Sequence, residues 1–332
     1  MRINTGIRLF VATLALLALM MAPVAAAKAP YQVAVVIKAT DSDFWQFVLH
    51  GADAAVTELG PNVVRLVYRG GPTSEADIDK QVAIVEDIVS KKPDAIVIAS
   101  TSSEATVPAL SRAASMGIKV VLIDNKVHLQ DNEYVTFLAT NNRAGGALAA
   151  QKLLEAIKAK GLPTTGRVGL ISSMAGVQVL IDRDEGFQTE LARIAPGLKL
   201  VPVRYVQNDI LEALAAAEDM LTTYPDLVGF FADNNHTGDG VSRAIIERKL
   251  QKKVAAVAYD SDPEEVEALK SGALDALIVQ DPYRMGYDGV KIAIGALEGK
   301  TYEKFIDTGA NAITLANLNE PRSQQLLYPL TR

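Results

Sequence analysis

Residues 33–60 read VAVVIKATDSDFWQFVLHGADAAVTELG, and their pattern decides the fold class. Val33–Ile37 is an unbroken apolar run, Lys38–Asp43 is mostly polar, and Phe44–Leu59 carries apolar residues at helical spacing. An unbroken apolar run reads as a strand covered on both faces, and the amphipathic segment behind it as one of the covering helices. The alternation repeats down the chain. Further apolar runs stand at Val63–Val67, Ala95–Ala99, Val120–Ile123, Val135–Ala139, Val168–Ile171, Leu200–Val203, Leu227–Phe231, Val254–Ala258 and Ala276–Val279. Helical patterns such as Ala76–Ser90 and Ile210–Thr223 fill most of the intervals. Repeated strand–helix–strand order implies parallel strands joined by right-handed crossovers.

Ten or more strands in one open sheet would be unusual, so two smaller sheets are expected. The fold class is therefore α/β, with two doubly wound parallel-sheet lobes. No low-complexity tract separates two halves; Pro93, Pro163, Pro225 and Pro263 mark tight connections instead. Several chain crossings, rather than one tether, should join the lobes.

The N-terminus indicates the compartment. Arg2 and Arg8 precede the apolar run Leu9–Met20, Pro23 breaks any helix, and Ala25–Ala27 offers a small-residue cleavage site. Residues 1–27 thus read as a secretory signal peptide. A membrane anchor would need about 20 apolar residues. Cleavage would leave residues 28–332, beyond the size at which single cores stop growing. The absence of cysteine excludes a lipidated cysteine, disulfides and thiol chemistry, and a periplasmic location follows. The leader holds two of the 33 basic residues and none of the 39 acidic ones, leaving 31 against 39. That balance, without any polybasic segment, argues against nucleic acid as a partner.

In open α/β sheets ligands collect at the carboxyl ends of strands, and here those ends are polar. Lys38, Asp41, Ser42 and Asp43 follow the first run and lead into Phe44-Trp45; Ser100, Thr101 and Ser102 follow the third. Asp124-Asn125-Lys126 follows the fourth and Asn141-Asn142 the fifth. The second half adds Asp182-Arg183, Asn208-Asp209, Asp233-Asn234-Asn235, Asp260-Ser261-Asp262 and Gln280-Asp281. Some of these read as helix caps, namely Ser103, Asp209 and Asp262. Capping does not call for Arg, Trp and Gln as well. Carboxylates, amides and a guanidinium form bidentate hydrogen bonds to neighbouring hydroxyls. Trp45, the only tryptophan, would cover the apolar face of a sugar ring.

An enzyme is not expected. His50, His128 and His236 show no metal-ligand spacing, and no nucleophile elbow or phosphate loop appears. Gly238-Asp239-Gly240 lacks the third glycine of a dinucleotide fingerprint and reads as part of a loop. No cofactor is expected.

The chain resembles the ribose/galactose-type periplasmic sugar-binding proteins of ABC importers. Beyond the opening stretch, the resemblance rests on DAIVIASTSSEATVPAL, IKVVLIDNKV, FLATNNRAGGALAA, DRDEGF, FFADNN, VAAVAYDSDPE and ALIVQDPYRMG, in order over most of the chain. It implies a type I fold with a three-strand hinge, residues 31–140 plus 281–307 forming the N-terminal lobe and 141–280 plus 308–332 the C-terminal lobe. It also implies capture of a monosaccharide or polyol by hinge closure, delivery to an inner-membrane ABC permease, and a monomer. Two alternatives stay open: a periplasmic sensor feeding a chemoreceptor or histidine kinase, and a receptor for an acidic or phosphorylated sugar.

Position by position, the resemblance assigns ligand contacts to Lys38, Ser42, Phe44, Trp45, Asp124, Arg183, Asn234, Asp260 and Gln280. Where the pattern departs, Ala99 stands where an asparagine would contact the ligand, so that Ser100 or Ser102 would substitute, and Asn125 replaces an arginine. Asn208 replaces an aromatic whose face Tyr259 would supply. Lys38 replaces a small hydroxyl residue. A buried ammonium needs an anion, so Lys38 should meet Asp124, Asp41 or an acidic ligand.

Overall fold

The computed structural model describes residues 29–329, so the leader expected over residues 1–27 lies outside the described residues. The first half runs β1 (Tyr31–Val36), α1 (Asp43–Leu59), β2 (Val64–Gly70), α2 (Ile78–Ser90), β3 (Ala95–Ile98), α3 (Val107–Ser115), β4 (Lys119–Ile123) and β5 (Phe137–Ala139). The second runs α4 (Asn142–Ala159), β6 (Gly166–Ser172), α5 (Gln178–Ile194), β7 (Leu198–Leu200), β8 (Arg204–Tyr205), α6 (Ile210–Thr223), β9 (Leu227–Ala232), α7 (Asn235–Glu247), β10 (Ala255–Tyr259), α8 (Pro263–Ser271) and β11 (Ala276–Val279). The chain closes with α9 (Pro282–Leu297), β12 (Phe305–Asp307), β13 (Asn311–Ile313) and α10 (Pro321–Leu327).

Two sheets result. The first has six parallel strands in the order β12-β5-β4-β3-β1-β2. The second has the order β13-β11-β10-β9-β6-β7, with β8 also paired to β6 and only β13 antiparallel. The chain leaves the first sheet after β5, returns through α9 after β11, and crosses a last time between β12 and β13.

Each strand feeds two cores, which is why its sequence is apolar without alternation. Val33 and Val35 of β1 pack under α1 and α9, while Ala34 and Val36 face α2 and α3. Each fully buried Val or Ile contributes about 2 kcal/mol. Helices α1 and α9 approach so closely that a Cβ on Gly51 would lie 2.0 Å from the Tyr283 carbonyl oxygen, and one on Gly286 1.9 Å from that of Val48.

Several local expectations change. Of the strand expected over Leu200–Val203, Leu200 ends β7 and residues 201–203 form the interval before β8, because Pro202 has no N–H to give the ladder. Gly238-Asp239-Gly240 lies inside α7 rather than in a loop, the helix being started by a reciprocal Asn234–Thr237 capping box. Asp209 and Asp262 do cap α6 and α8. Ser103 caps nothing: α3 follows Thr106, and the Ser102 hydroxyl accepts from the Glu104 and Ala105 amides.

Candidate functional site

The carboxyl ends of the two sheets face one another across a narrow cavity. Nine of the twelve expected residues line it: Lys38, Ser42, Phe44, Trp45 and Asp124 from the first lobe, Arg183, Asn234, Asp260 and Gln280 from the second. Each position follows from topology. Lys38 and Asp124 follow β1 and β4, Phe44 and Trp45 open α1, Asp260 and Gln280 follow β10 and β11, and Arg183 projects from α5.

In the first-lobe wall, Lys38 Nζ meets Asp124 Oδ2 at 2.6 Å, with both side chains almost fully buried. Asp124 is one of the anionic partners expected for Lys38. The ammonium also lies 5.4 Å from the Trp45 ring centroid. Phe44 and Trp45 pack edge to face with centroids 4.8 Å apart. The Trp45 indole N–H donates to Glu75 Oε1 at 2.8 Å.

In the second-lobe wall, Arg183 is held on three sides. Its Nε donates to Asn142 Oδ1 and one terminal nitrogen to the Asp233 carbonyl, both at 2.8 Å, while its Cζ lies 3.9 Å from the Tyr259 ring centroid. Burial opposes its charge, but Tyr259, Asp260, Asp124 and Asp233 together raise its pKa. Gln280 Nε2 donates to Asp260 Oδ1 at 2.7 Å. Burial pushes the Asp260 carboxyl up to about 6 despite Arg183 and Gln280. Burial also drives Asp184, helped by Asp233, up to about 8. Asp233 accepts from the Ser172 hydroxyl at 2.5 Å and the Ser173 amide at 2.9 Å.

Asp124 and Asp260 occupy equivalent places, each just past the strand three from its sheet's end. Both adopt the left-handed region, at φ 60° and 80°. Their amides donate to Leu138 and Ile278 on the neighbouring strand, at 2.9 and 3.0 Å. Such a conformation costs a β-carbon residue about 1 kcal/mol or more and is a mark of functional positions.

The two walls touch. Asn235 Nδ2 lies 3.2 Å from Ser42 Oγ and 3.3 Å from Asp262 Oδ2. Inside the cavity, Gln280 Oε1 is buried without a hydrogen-bond partner, and Asp124 Oδ2 meets only the Lys38 charge. Both are acceptors suited to hydroxyl donors.

Three expected residues stand apart. The Ser100 hydroxyl bonds to the Ser102 carbonyl and Thr106. The Asn125 amide donates to the Ser100 carbonyl, and its residue borders a separate cavity beside the chain crossing after β5. Asn208, at φ 58°, accepts from Ser173 and Asn234 behind the wall. Tyr259 does not supply the second lobe's apolar face either: it is wholly buried beneath Arg183, where Gly145 leaves room for its hydroxyl. Met174, Val177, Val179 and Leu180 provide that face. They sit just beyond the end of β6, so the strand-end rule applied there would have found them. Glu75 was missed, and Asn235, although among the polar strand-end residues, was not assigned a ligand contact; both line the cavity. His236 bonds to the Asn208 carbonyl and does not line the cavity.

Among the described residues no His/Cys/Asp/Glu group could hold a metal ion, and no helix is long and apolar enough to cross a membrane.

A family profile described as "Periplasmic binding protein domain" matches residues 33–301. The D-allose-binding periplasmic protein of Escherichia coli K12 is 29% identical over 286 residues, covering 85% of this chain and 88% of that protein. A carbohydrate transporter solute binding protein from Agrobacterium radiobacter, solved with D-arabinose, has a TM-score of 0.85 at 37% identity over 90% of this chain and 99% of that one. An ABC transporter solute binding protein from Agrobacterium vitis with bound D-fucose has a TM-score of 0.82 at 36% identity, over 90% of this chain and all of that one.

Proposed function

This chain belongs to the periplasmic binding protein domain family, and from that premise we propose that it captures a monosaccharide for an ABC importer. The observation that carries the reading is the interlobe cavity itself: charged, amide and aromatic groups from both lobes converge on it. Gln280 Oε1 and Asp124 Oδ2 offer acceptors for ligand hydroxyls. Arg183 presents donors, and the Phe44–Trp45 pair covers an apolar ring face.

The ligand first meets the Lys38, Trp45 and Asp124 side. Arg183, Asn234, Asp260 and Gln280 complete its hydrogen bonds as the lobes close about the three crossings. Ligand stabilises the closed state because only that state makes both sets of contacts. An inner-membrane ABC permease then reads the closed outline. The chain acts in this reading as an exported periplasmic monomer without enzymatic activity, its lobes divided at residues 140/141, 280/281 and 307/308. A chemoreceptor reading the same closed form is compatible with it.

A thermal-shift screen of pentoses, hexoses and polyols tests the proposal. A ligand of the native state raises the melting temperature in proportion to the logarithm of its concentration. At least one neutral monosaccharide should do so; a flat response across the panel contradicts the reading.

A further inference from the structure

The charges around the cavity do not balance. Two cations, Lys38 and Arg183, face three carboxylates, Glu75, Asp124 and Asp260. Lys38 is committed to Asp124 at 2.6 Å. Arg183 spends two of its nitrogens on Asn142 and the Asp233 carbonyl, and its field falls on Asp260. Glu75 is the carboxylate left over: one of its oxygens accepts from the Trp45 indole at 2.8 Å, and it forms no ion pair among the described residues.

The position of Glu75 is fixed. It follows β2 in a loop whose Thr73 carbonyl accepts from the Thr40 and Asp41 amides at 3.1 and 3.2 Å. That ties the loop to the turn after β1, which carries Lys38 and leads into Trp45. Glu75 therefore lies on the same wall as the aromatic pair, and its place there is set by backbone bonds rather than by a flexible side chain alone.

Resting on the sugar-binding reading above, we propose that Glu75 is a specificity-determining residue that makes the site select uncharged sugars and reject acidic or phosphorylated ones. Its carboxylate accepts a hydrogen bond from a neutral ligand's hydroxyl. Against an anionic ligand it is a like charge at contact distance with no ion-pair partner, and that repulsion opposes binding. The acidic-sugar alternative required a Lys38 ammonium free for the ligand; Asp124 already holds it.

Trp45, the chain's only tryptophan, bonds to Glu75 and supplies the readout. Wild type and Glu75→Gln are titrated by tryptophan fluorescence with D-arabinose and D-fucose, and with the anionic counterparts D-arabinose 5-phosphate and D-galacturonate. Gln keeps an amide oxygen for the indole N–H and removes only the charge. Wild type should prefer the neutral sugar to its anionic counterpart, and Glu75→Gln should shrink that preference by about tenfold or more, the scale of one charge-assisted contact. An unchanged preference in Glu75→Gln, or wild-type binding of the anion as tight as of the neutral sugar, overturns the role of Glu75 and leaves sugar capture standing. If wild type binds no neutral sugar, whether D-arabinose, D-fucose or another of the thermal-shift panel, sugar capture fails and the role of Glu75 with it.

Discussion

The two walls of the cleft hold the same residue in the same conformation and treat it differently. Asp124 and Asp260 are both left-handed aspartates with amides tied to the next strand. Asp124 is neutralised directly by Lys38 at 2.6 Å. Asp260 has only an amide donor and a guanidinium also claimed by Asn142 and the Asp233 carbonyl, and burial raises its carboxyl to about 6. Behind it Asp184 is raised to about 8. In the first wall the aspartate is thus compensated by its own lysine beside an aromatic surface, Glu75 being the one cavity-lining carboxylate there without an ion pair among the described residues, and the second is a titrating wall with one cation among several buried carboxyls. One fold repeated twice need not yield one electrostatic environment twice.

The largest expected effect breaks the compensated wall. Lys38→Met strands a buried carboxylate and should cost about 3–5 kcal/mol, read as a lower denaturation midpoint. Adding Asp124→Asn, which suits the left-handed backbone there, should recover most of that loss, because removing both charges is far cheaper than removing one. Failure of the double variant to recover would show that the pair is not what stabilises this wall.

Next comes the titrating wall. Arg183→Ala should weaken sugar binding by more than tenfold, the worth of at least one charge-assisted hydrogen bond, in titration calorimetry. Unchanged affinity would remove Arg183 from the ligand's contacts.

The pH dependence separates the walls more finely. Asp260 and Asp184 bind protons more tightly folded than at the ordinary carboxyl value of 3.8. Between about pH 4 and 8 the native state therefore holds more protons than the unfolded chain, and stability falls as pH rises through that window. The melting temperature should drop from pH 5 to pH 8 by roughly 5 °C or more, each pH unit over which one such carboxyl stays protonated only in the native state being worth about 1.4 kcal/mol. Asp260→Asn should flatten that slope; a melting temperature that rises across the window would contradict the assignment.

The smallest effect concerns the contact between the walls. Asn235→Ala removes the amide that joins Ser42 to Asp262. Loss of one neutral hydrogen bond should weaken sugar binding by about five- to tenfold. Equal binding by the variant would show that the contact does not help to hold the lobes closed.

Much of this was legible in the sequence. Unbroken apolar runs announced doubly covered strands, and strand-end polarity together with the family resemblance singled out nine residues that line one cavity. What escaped was decided by neighbours distant in sequence. Ser100 and Asn125 bond to each other's vicinity rather than to the cavity, and Tyr259 vanished under Arg183 because Gly145 makes space for it. Glu75 escaped because it belongs to a loop after an edge strand, and only the backbone tie through Thr73 carries it to Trp45. The three-residue strands β12 and β13 are too short to show a period, though they set the final crossing.

The most direct test of the central claim is titration calorimetry of a panel of neutral pentoses and hexoses into the wild-type chain. The account predicts saturable one-to-one binding, micromolar or tighter, for at least one of them. No heat of binding from any sugar of the panel would contradict it.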